Sequence, residues 1–215
     1  MKKPLFFVFT LMVTISACSK KSNAPATPTI VYINGADYST VVMGSQTWTA
    51  ENYDGDGGEV FNNGPDTGTN GKLYTIAESE AITLPTGWRI PTRDDFNSLL
   101  ASLGVSEPPK GSNSGNDASG PPVRELMSTS GWINGSGNDA SGFNALPVGF
   151  YGAGFNANQS FQWKGTNAVF ICSSNYNGTP LCFYIYQYPS ANLAGTGSYV
   201  VLPTDRASVR FVKDN

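Results

Sequence analysis

The run Thr92-Arg93-Asp94-Asp95-Phe96-Asn97-Ser98-Leu99-Leu100-Ala101-Ser102-Leu103-Gly104 sets the fold class. Phe96, Leu99, Leu100 and Leu103 stand at i, i+3, i+4 and i+7, one stripe of an α-helix. Thr92 is placed to cap it, Asp95 three residues on completes a capping box, and Gly104 supplies the stop. The spacing predicts a helix over Arg93–Leu103 with one buried face. Working outward, a shorter helix is expected at Val123–Met127 behind Pro121 and Pro122, and a third at Thr75–Ala81. Glu107–Gly120, between the helices, is too polar to pack. Towards the N-terminus, β-like runs occupy Ile30–Ile33, Tyr38–Met43 and Gln46–Tyr53. Towards the C-terminus they occupy Ala145–Tyr151, Ala168–Ser173, Leu181–Tyr188, Tyr199–Leu202 and Ser208–Lys213. Helices in the middle and strands at both ends exclude a regular βαβ alternation. They predict an α+β fold with antiparallel sheets, two or three short helices and long polar loops, Asp54–Gly71 among them.

The chain opens on Met1, Lys2 and Lys3, then an apolar stretch from Leu5 to Ile15, then Ser16, Ala17 and Cys18. That is a charged n-region, an h-region too short to span a bilayer, and a small-residue cleavage site. Ile15-Ser16-Ala17-Cys18 resembles the lipobox of bacterial lipoproteins, in which the cysteine is diacylated. The alternative is an ordinary secretory signal that happens to precede a cysteine. Residues 1–17 are therefore expected to be removed. Residues 18–29 would form a lipidated cysteine, Cys18, and a flexible Pro-containing tether, and residues 30–215 a single folded domain. Ser19 lacks the Asp of an inner-membrane retention signal. A lipid-anchored cell-envelope protein with the outer membrane favoured is expected, while the absence of an acidic run over Ser19–Ala24 leaves the leaflet open.

Losing Lys2 and Lys3 takes the net charge from −3 to −5. With no basic stripe to neutralise phosphates, nucleic acid is not an expected partner. The sequence contains no histidine, which excludes Ser-His-Asp and Cys-His nucleophile activation and removes the commonest ligand for zinc, copper and iron. No metal or other cofactor is expected. The carboxylates Glu51, Asp54, Asp56, Asp94, Asp95, Asp117 and Asp139 show no glycosidase spacing and read as solvated or capping groups, so no catalytic residue is assigned. Ser-Gly-Asn-Asp-Ala-Ser-Gly occurs at Ser114–Gly120 and again at Ser136–Gly142. Each copy offers oxygens to calcium but only one carboxylate, so paired turns are the simpler reading.

Asn177-Gly178 between two β-like runs predicts a hairpin. Centred near Asn177, it would set Cys172 opposite Cys182 and form a disulfide in an oxidising compartment. The alternative is two free buried thiols. With a pleat period of two, Cys182, Tyr184, Tyr186 and Tyr188 share one side with Phe170, while Leu181, Phe183, Ile185, Val169 and Ile171 share the other, which must be core. The tyrosine side is either roofed as a second small core or left partly open as an aromatic platform. In the second case Tyr184 and Tyr186 are the candidate ligand-binding residues for a glycan or peptide.

Five segments in order carry a resemblance: Gly71–Tyr74 (Gly-Lys-Leu-Tyr), Pro85–Thr92 (Pro-Thr-Gly-Trp-Arg-Ile-Pro-Thr), Ser128–Trp132 (Ser-Thr-Ser-Gly-Trp), Gly142–Gly149 (Gly-Phe-Asn-Ala-Leu-Pro-Val-Gly) and Ser208–Asp214 (Ser-Val-Arg-Phe-Val-Lys-Asp). Together they resemble the Fibrobacter succinogenes major paralogous domain, over about Ile30–Asn215. The resemblance implies exported lipoproteins without assigned activity and a divergent C-type-lectin-like fold related to the formylglycine-generating enzyme group. It also implies Trp88 and Trp132 as core anchors and Arg89 as a brace for the turn before the main helix. Family members often carry a cysteine before the Pro-x-Gly-Trp-Arg turn and another in the terminal motif. Leu84 and Phe211 stand at those places here, and an apolar contact is expected instead of a disulfide. Cys172 and Cys182 are not family positions, which supports the alternative of two free buried thiols.

Three function classes follow. The first is a non-catalytic, membrane-anchored envelope lipoprotein that binds carbohydrate or protein. The second is a structural or adhesin-type envelope component with no small ligand. The third is an enzyme distantly related to the formylglycine-generating group, disfavoured because that group needs a close cysteine pair and these two lie ten residues apart. A polysaccharide or an envelope protein is the expected partner of the first class, besides the membrane held through Cys18.

Overall fold

A computed structural model describes residues 29–61, 70–105, 116–153, 159–187 and 194–215. Cys18, the tether as far as Pro28 and Tyr188 lie outside the described residues, while Thr29, expected in the tether, begins the first strand. Among the described residues, ten strands and two α-helices follow in chain order. They are β1 (Thr29–Ile33), β2 (Ala36–Met43), β3 (Gln46–Thr49), α1 (Ile76–Glu80), α2 (Arg93–Ser102) and β4 (Asn116–Ser119). After a 3-10 helix at Pro121–Glu125 come β5 (Phe150–Gly152), β6 (Ser160–Gln162), β7 (Asn167–Tyr176), β8 (Thr179–Gln187), β9 (Ala194–Val200) and β10 (Val212–Asp214). The strands form antiparallel sheets of order β1-β2-β3-β10 and β4-β9-β8-β7, and the two-stranded β5-β6. The expected α+β, sheet-rich class is therefore observed.

Local chemistry explains the elements. Thr92 accepts from the Asp95 amide while the Asp95 carboxylate accepts from the Thr92 amide, so both halves of the capping box form. Thr75 and Glu78 do the same for α1. The β1–β2 and β7–β8 connections are both Asn-Gly pairs, Asn34-Gly35 and Asn177-Gly178, with both residues at positive φ. That is the type I′ geometry whose twist matches flanking antiparallel strands. Behind its two prolines the second helix is a single 3-10 element starting at Pro121, two residues ahead of the expected start. β4 forms inside the stretch expected to be too polar to pack, because its ladder with β9 runs through backbone groups.

Residues 206–212 knit the sheets together. The Arg206 backbone pairs with Tyr151, Ala207 with Tyr74, Ser208 with Val169 and Ile171, and Val212 with Arg89. The carbonyls of Val209 and Phe211 accept from Tyr53 and Thr49. One segment serving so many neighbours satisfies its buried backbone without joining a single long ladder. Of the expected strand Ser208–Lys213 only Val212 and Lys213 fall in a regular strand, β10, for this reason.

The β7–β8 hairpin separates two apolar clusters. The first holds Trp48, Phe96, Leu99, Leu100, Phe143, Phe170, Cys172, Leu181, Phe183 and Ile185, with Phe96 stacked on Phe183 at 4.2 Å. The second holds Tyr53, Tyr74, Phe150, Val169, Ile171, Cys182, Val209 and Phe211. Leu84 packs against this second cluster, on the same side as Phe211. Trp132 is buried, its indole N–H donating to Ser128 Oγ at 3.1 Å. Trp88 only edges the second cluster, and the fully enclosed tryptophan is Trp48.

The cysteines require a correction. Ile171, not Cys172, lies opposite Cys182. Between the pairs Ile171↔Cys182 and Asn175↔Pro180, three residues of β7 face the single Leu181. This bulge is used by α2: the Ser173 amide donates to the Pro91 carbonyl and the Ser174 hydroxyl accepts from the Arg93 amide. Cys172 enters the first cluster and Cys182 the second, both buried. The expected Cys172–Cys182 disulfide is not formed. Because the turn lies between Asn177 and Gly178 rather than on Asn177, Val169 and Ile171 share the side of Cys182 and Tyr184, and Phe170 lies on the side of Phe183.

Candidate functional site

The site is best built from its floor. Arg210 is fully buried, yet each part of its guanidinium is bonded. Nε donates to Asn52 Oδ1 at 2.6 Å, one terminal nitrogen to the carbonyls of Thr49 (2.8 Å) and Phe143 (3.0 Å), and the other to the Asn144 carbonyl at 2.9 Å. Its carbon lies 5.0 Å from the ring centre of Phe143 and 5.7 Å from that of Phe170. Burial pulls the Arg210 pKa down to about 9 despite the attraction of Glu51 and Asp139. The arginine thus fixes Asn52 at the end of β3 and Asn144 in the loop before β5.

Asn144 is held a second time by the repeated motif. Asp139, at φ 47°, accepts from the Asn144 amide at 2.7 Å, and Asn138 accepts from the Ala140 amide. The copy Ser136–Gly142 is therefore a turn that aims two carbonyls at Arg210. In the copy Ser114–Gly120, the side chains of residues 114–119 lie outside the described residues. Burial raises the Asp139 pKa, opposed by the bond from Asn144 and by Arg210.

Above this floor, Asn52 and Asn144 line an open cleft of about 260 Å³ with Ala36, Asp37, Tyr38, Glu51, Asp54 and Leu146. The Tyr38 hydroxyl donates to Asp54 Oδ1 at 2.7 Å, and Ser39 Oγ donates to Glu51. Burial, reinforced by that bond to Asp54, raises the Tyr38 pKa. The loop after Asp54 is tied down by Lys72, whose ammonium donates to the carbonyls of Gly55 (2.8 Å) and Gly57 (3.2 Å), and by the Tyr74 hydroxyl bonded to Gly55 at 2.9 Å. Acceptors anchored in this way can receive hydroxyl or ammonium donors without first losing rotamer freedom. Leu146 is also a wall of a second cavity, about 90 Å³, with Asn70, Ser130, Gly131, Pro147, Val148 and Lys164.

The carboxylates singled out in the sequence separate by role. Asp95 caps α2 and pairs with Arg89, which also bonds Asp214 at 3.1 Å; Gln46 bonds both acids. Burial pushes the Asp95 pKa up, but the bonds from Arg89 and Thr92 win and bring it to about 2. Arg89 therefore braces the turn before α2, as the resemblance implies. Asp94 and Asp56 are exposed, and the Asp117 side chain is outside the described residues. Of the six whose side chains are described, only Glu51 and Asp54 line the cleft.

Tyr184 and Tyr186 lie side by side at 5.5 Å, and Tyr184 also packs on Tyr199 at 5.4 Å. Both are half-buried, and neither lines the two cavities. The side they share with Cys182 is roofed in large part by Val201, Val209 and Phe150 of the second cluster. The sequence reading missed Tyr38, Asn52, Asn144 and Leu146. Asn144 lay in view within Gly142–Gly149, but nothing in that segment separates a cleft residue from a scaffold residue.

Among the described residues no group of three or more Cys, Asp or Glu is placed to hold a metal ion. No described helix is long and apolar enough to cross a membrane. The family model for the Fibrobacter succinogenes major domain matches residues 41–213. No curated protein and no solved structure matches the chain.

Proposed function

The chain belongs to the Fibrobacter succinogenes major domain family, and on that premise we propose that it is a non-catalytic binding module of the cell envelope, lipid-anchored through Cys18, whose ligand is a saccharide. The observation that carries this reading is the cleft of about 260 Å³ in which Asp54, Glu51 and Asn52 are each pre-positioned by an internal donor. A sugar presents a dense array of hydroxyl donors, and fixed acceptors convert those into net affinity because less ordering entropy is lost on binding. With no histidine in the chain, the cleft has no Ser-His or Cys-His route to an activated nucleophile. The lectin-like reading of the fold is supported by β1 and β10 sharing a sheet and by loop-borne polar groups meeting in one cleft.

A structural or adhesin-type role is supported by a different feature. Edge strand β1 exposes Ile30 and Tyr32, and an unprotected apolar edge can accept a strand from another protein. The enzymatic reading has less support, because the two cysteines sit in different clusters on opposite sides of β7–β8.

The test is a glycan array with the full chain in non-ionic detergent, comparing wild type, Glu51→Ala plus Asp54→Ala, and Tyr184→Ala plus Tyr186→Ala. The cleft variant should lose binding while the tyrosine variant keeps it. The reverse result would move the site to the tyrosine face. No binding, together with a stable co-purifying protein, would favour the adhesin-type role. The anchor is checked by Cys18→Ala, which should abolish detergent-phase partitioning.

A further inference from the structure

Beside the small cavity lies an aromatic surface built by the short β5–β6 pair. Tyr151 and Phe161 are directly opposed across that ladder, so both rings rise on one face, 4.8 Å apart. Phe61, seven residues after Asp54, continues the row at 5.1 Å from Phe161. Lys164 sets its ammonium 5.3 Å from the Phe61 ring centre and also lines the small cavity. All three rings are partly open to solvent, unlike the enclosed Phe96, Phe170 and Phe183. Gly149 permits the arrangement. A Cβ there would fall 2.3 Å from the Gln162 carbonyl oxygen and 2.9 Å from Phe61.

The two cavities are neighbours. Leu146 is a wall of both, and Asn52 of the cleft donates to the carbonyl of Asn70 in the smaller cavity at 2.9 Å. The cleft that holds Asp54 and the cavity that holds Lys164 therefore share a wall at Leu146, and from Lys164 the row continues through Phe61 and Phe161 to Tyr151. The chemistry changes from fixed acceptors at one end to flat apolar rings flanked by an ammonium at the other. A hydroxylated ring has polar edges and an apolar face, which suits acceptors in the cleft and stacking on the aromatic row. A single sugar cannot reach both ends.

We propose that Phe61, Phe161, Tyr151 and Lys164 form a second subsite of one groove that crosses Leu146, and that the ligand is an oligosaccharide several units long. This rests on the saccharide reading of the cleft and adds chain length to it. The probes are disaccharides and hexasaccharides of glucose and of N-acetylglucosamine, titrated calorimetrically into the full chain in non-ionic detergent. A hexasaccharide should bind roughly tenfold tighter than its disaccharide, the gain expected of about one stacking contact. Phe161→Ala should abolish that gain and leave disaccharide affinity unchanged. Lys164→Gln, at an exposed side chain that leaves the ladder intact, should weaken only the hexasaccharide and covers the case in which Phe161→Ala fails to fold. Equal affinity for both lengths, or loss of the disaccharide in a folded Phe161→Ala protein, would overturn the second subsite while the cleft reading stands. If neither length of either sugar binds, the cleft reading falls and the subsite with it.

Discussion

Asn144 faces two regions with opposite physics. On one side its carbonyl is bonded to the buried Arg210, where a full positive charge is accommodated by Asn52 and three carbonyl groups in a ring-lined interior. On the other it borders an open cleft whose carboxylates face water. The interior is built from the segments that carry the family resemblance, since Phe143 and Asn144, Ser208–Val212, Arg89 and Tyr74 all meet along the C-terminal segment. The cleft borrows its rigidity from that interior but takes Asp37, Tyr38, Glu51 and Asp54 from outside those segments. Scaffold and surface are thus separable: damage to the first should cost stability, and damage to the second should cost binding.

The largest effect is expected at Arg210. Arg210→Ala strips the partners from four buried acceptors and leaves a cavity, and should cost about 3–5 kcal/mol in urea unfolding. Arg210→Met, which fills the volume and removes the desolvated charge, should cost clearly less. If both variants unfold at the wild-type midpoint, the interior does not depend on the arginine.

Next comes the Asp95–Arg89 brace. Asp95 has a folded-state pKa of about 2 against an ordinary value of 3.8, so its contribution is fully present above the unfolded value and is lost as pH falls from about 4 towards 2. The shift corresponds to roughly 2.5 kcal/mol. Asp95→Asn should lower stability at neutral pH by about that much and flatten the acid limb of the stability profile. An unchanged acid limb would show that the carboxylate is not held in its charged form by this network.

The cysteines give a smaller but cleaner outcome. Unreduced, denatured protein should titrate with two thiols from Cys172 and Cys182, while the native protein should react slowly, because burial raises the Cys182 pKa well above its ordinary value and thiolate is the reactive form. Recovery of neither thiol would mean that the hairpin is centred on Asn177, with Cys172 opposite Cys182.

Smallest in stability, and sharpest for the contrast, is Glu51→Gln plus Asp54→Asn. Both groups are exposed, and the unfolding midpoint should move by no more than about 0.5 kcal/mol while saccharide affinity falls. A large loss of stability would mean that the cleft is part of the scaffold after all.

The amino-acid order alone determined α2, both Asn-Gly hairpin turns and the alternation along β8, because each depends on contacts within a few residues. Thr92 finds Asp95 three residues away, and Asn177 with Gly178 needs only its own backbone to turn. The absence of histidine excluded whole reaction classes without any geometry. Tertiary structure alone decided the register of β7 against β8 beyond its bulge. The facing of the two strands was decided by the turn, which lies between Asn177 and Gly178 and pairs Tyr176 with Thr179, whereas a turn centred on Asn177 would set Cys172 opposite Cys182. Three residues facing one then displace the partners by two without changing the face, in a bulge whose Ser174 accepts from the amide of Arg93, 81 positions earlier in the chain. The cleft was hidden for the same reason. Asp54, Asn144 and Leu146 become neighbours only when Arg210 draws β3 and the loop before β5 onto the C-terminal segment, and no local pattern encodes a contact made through a third segment.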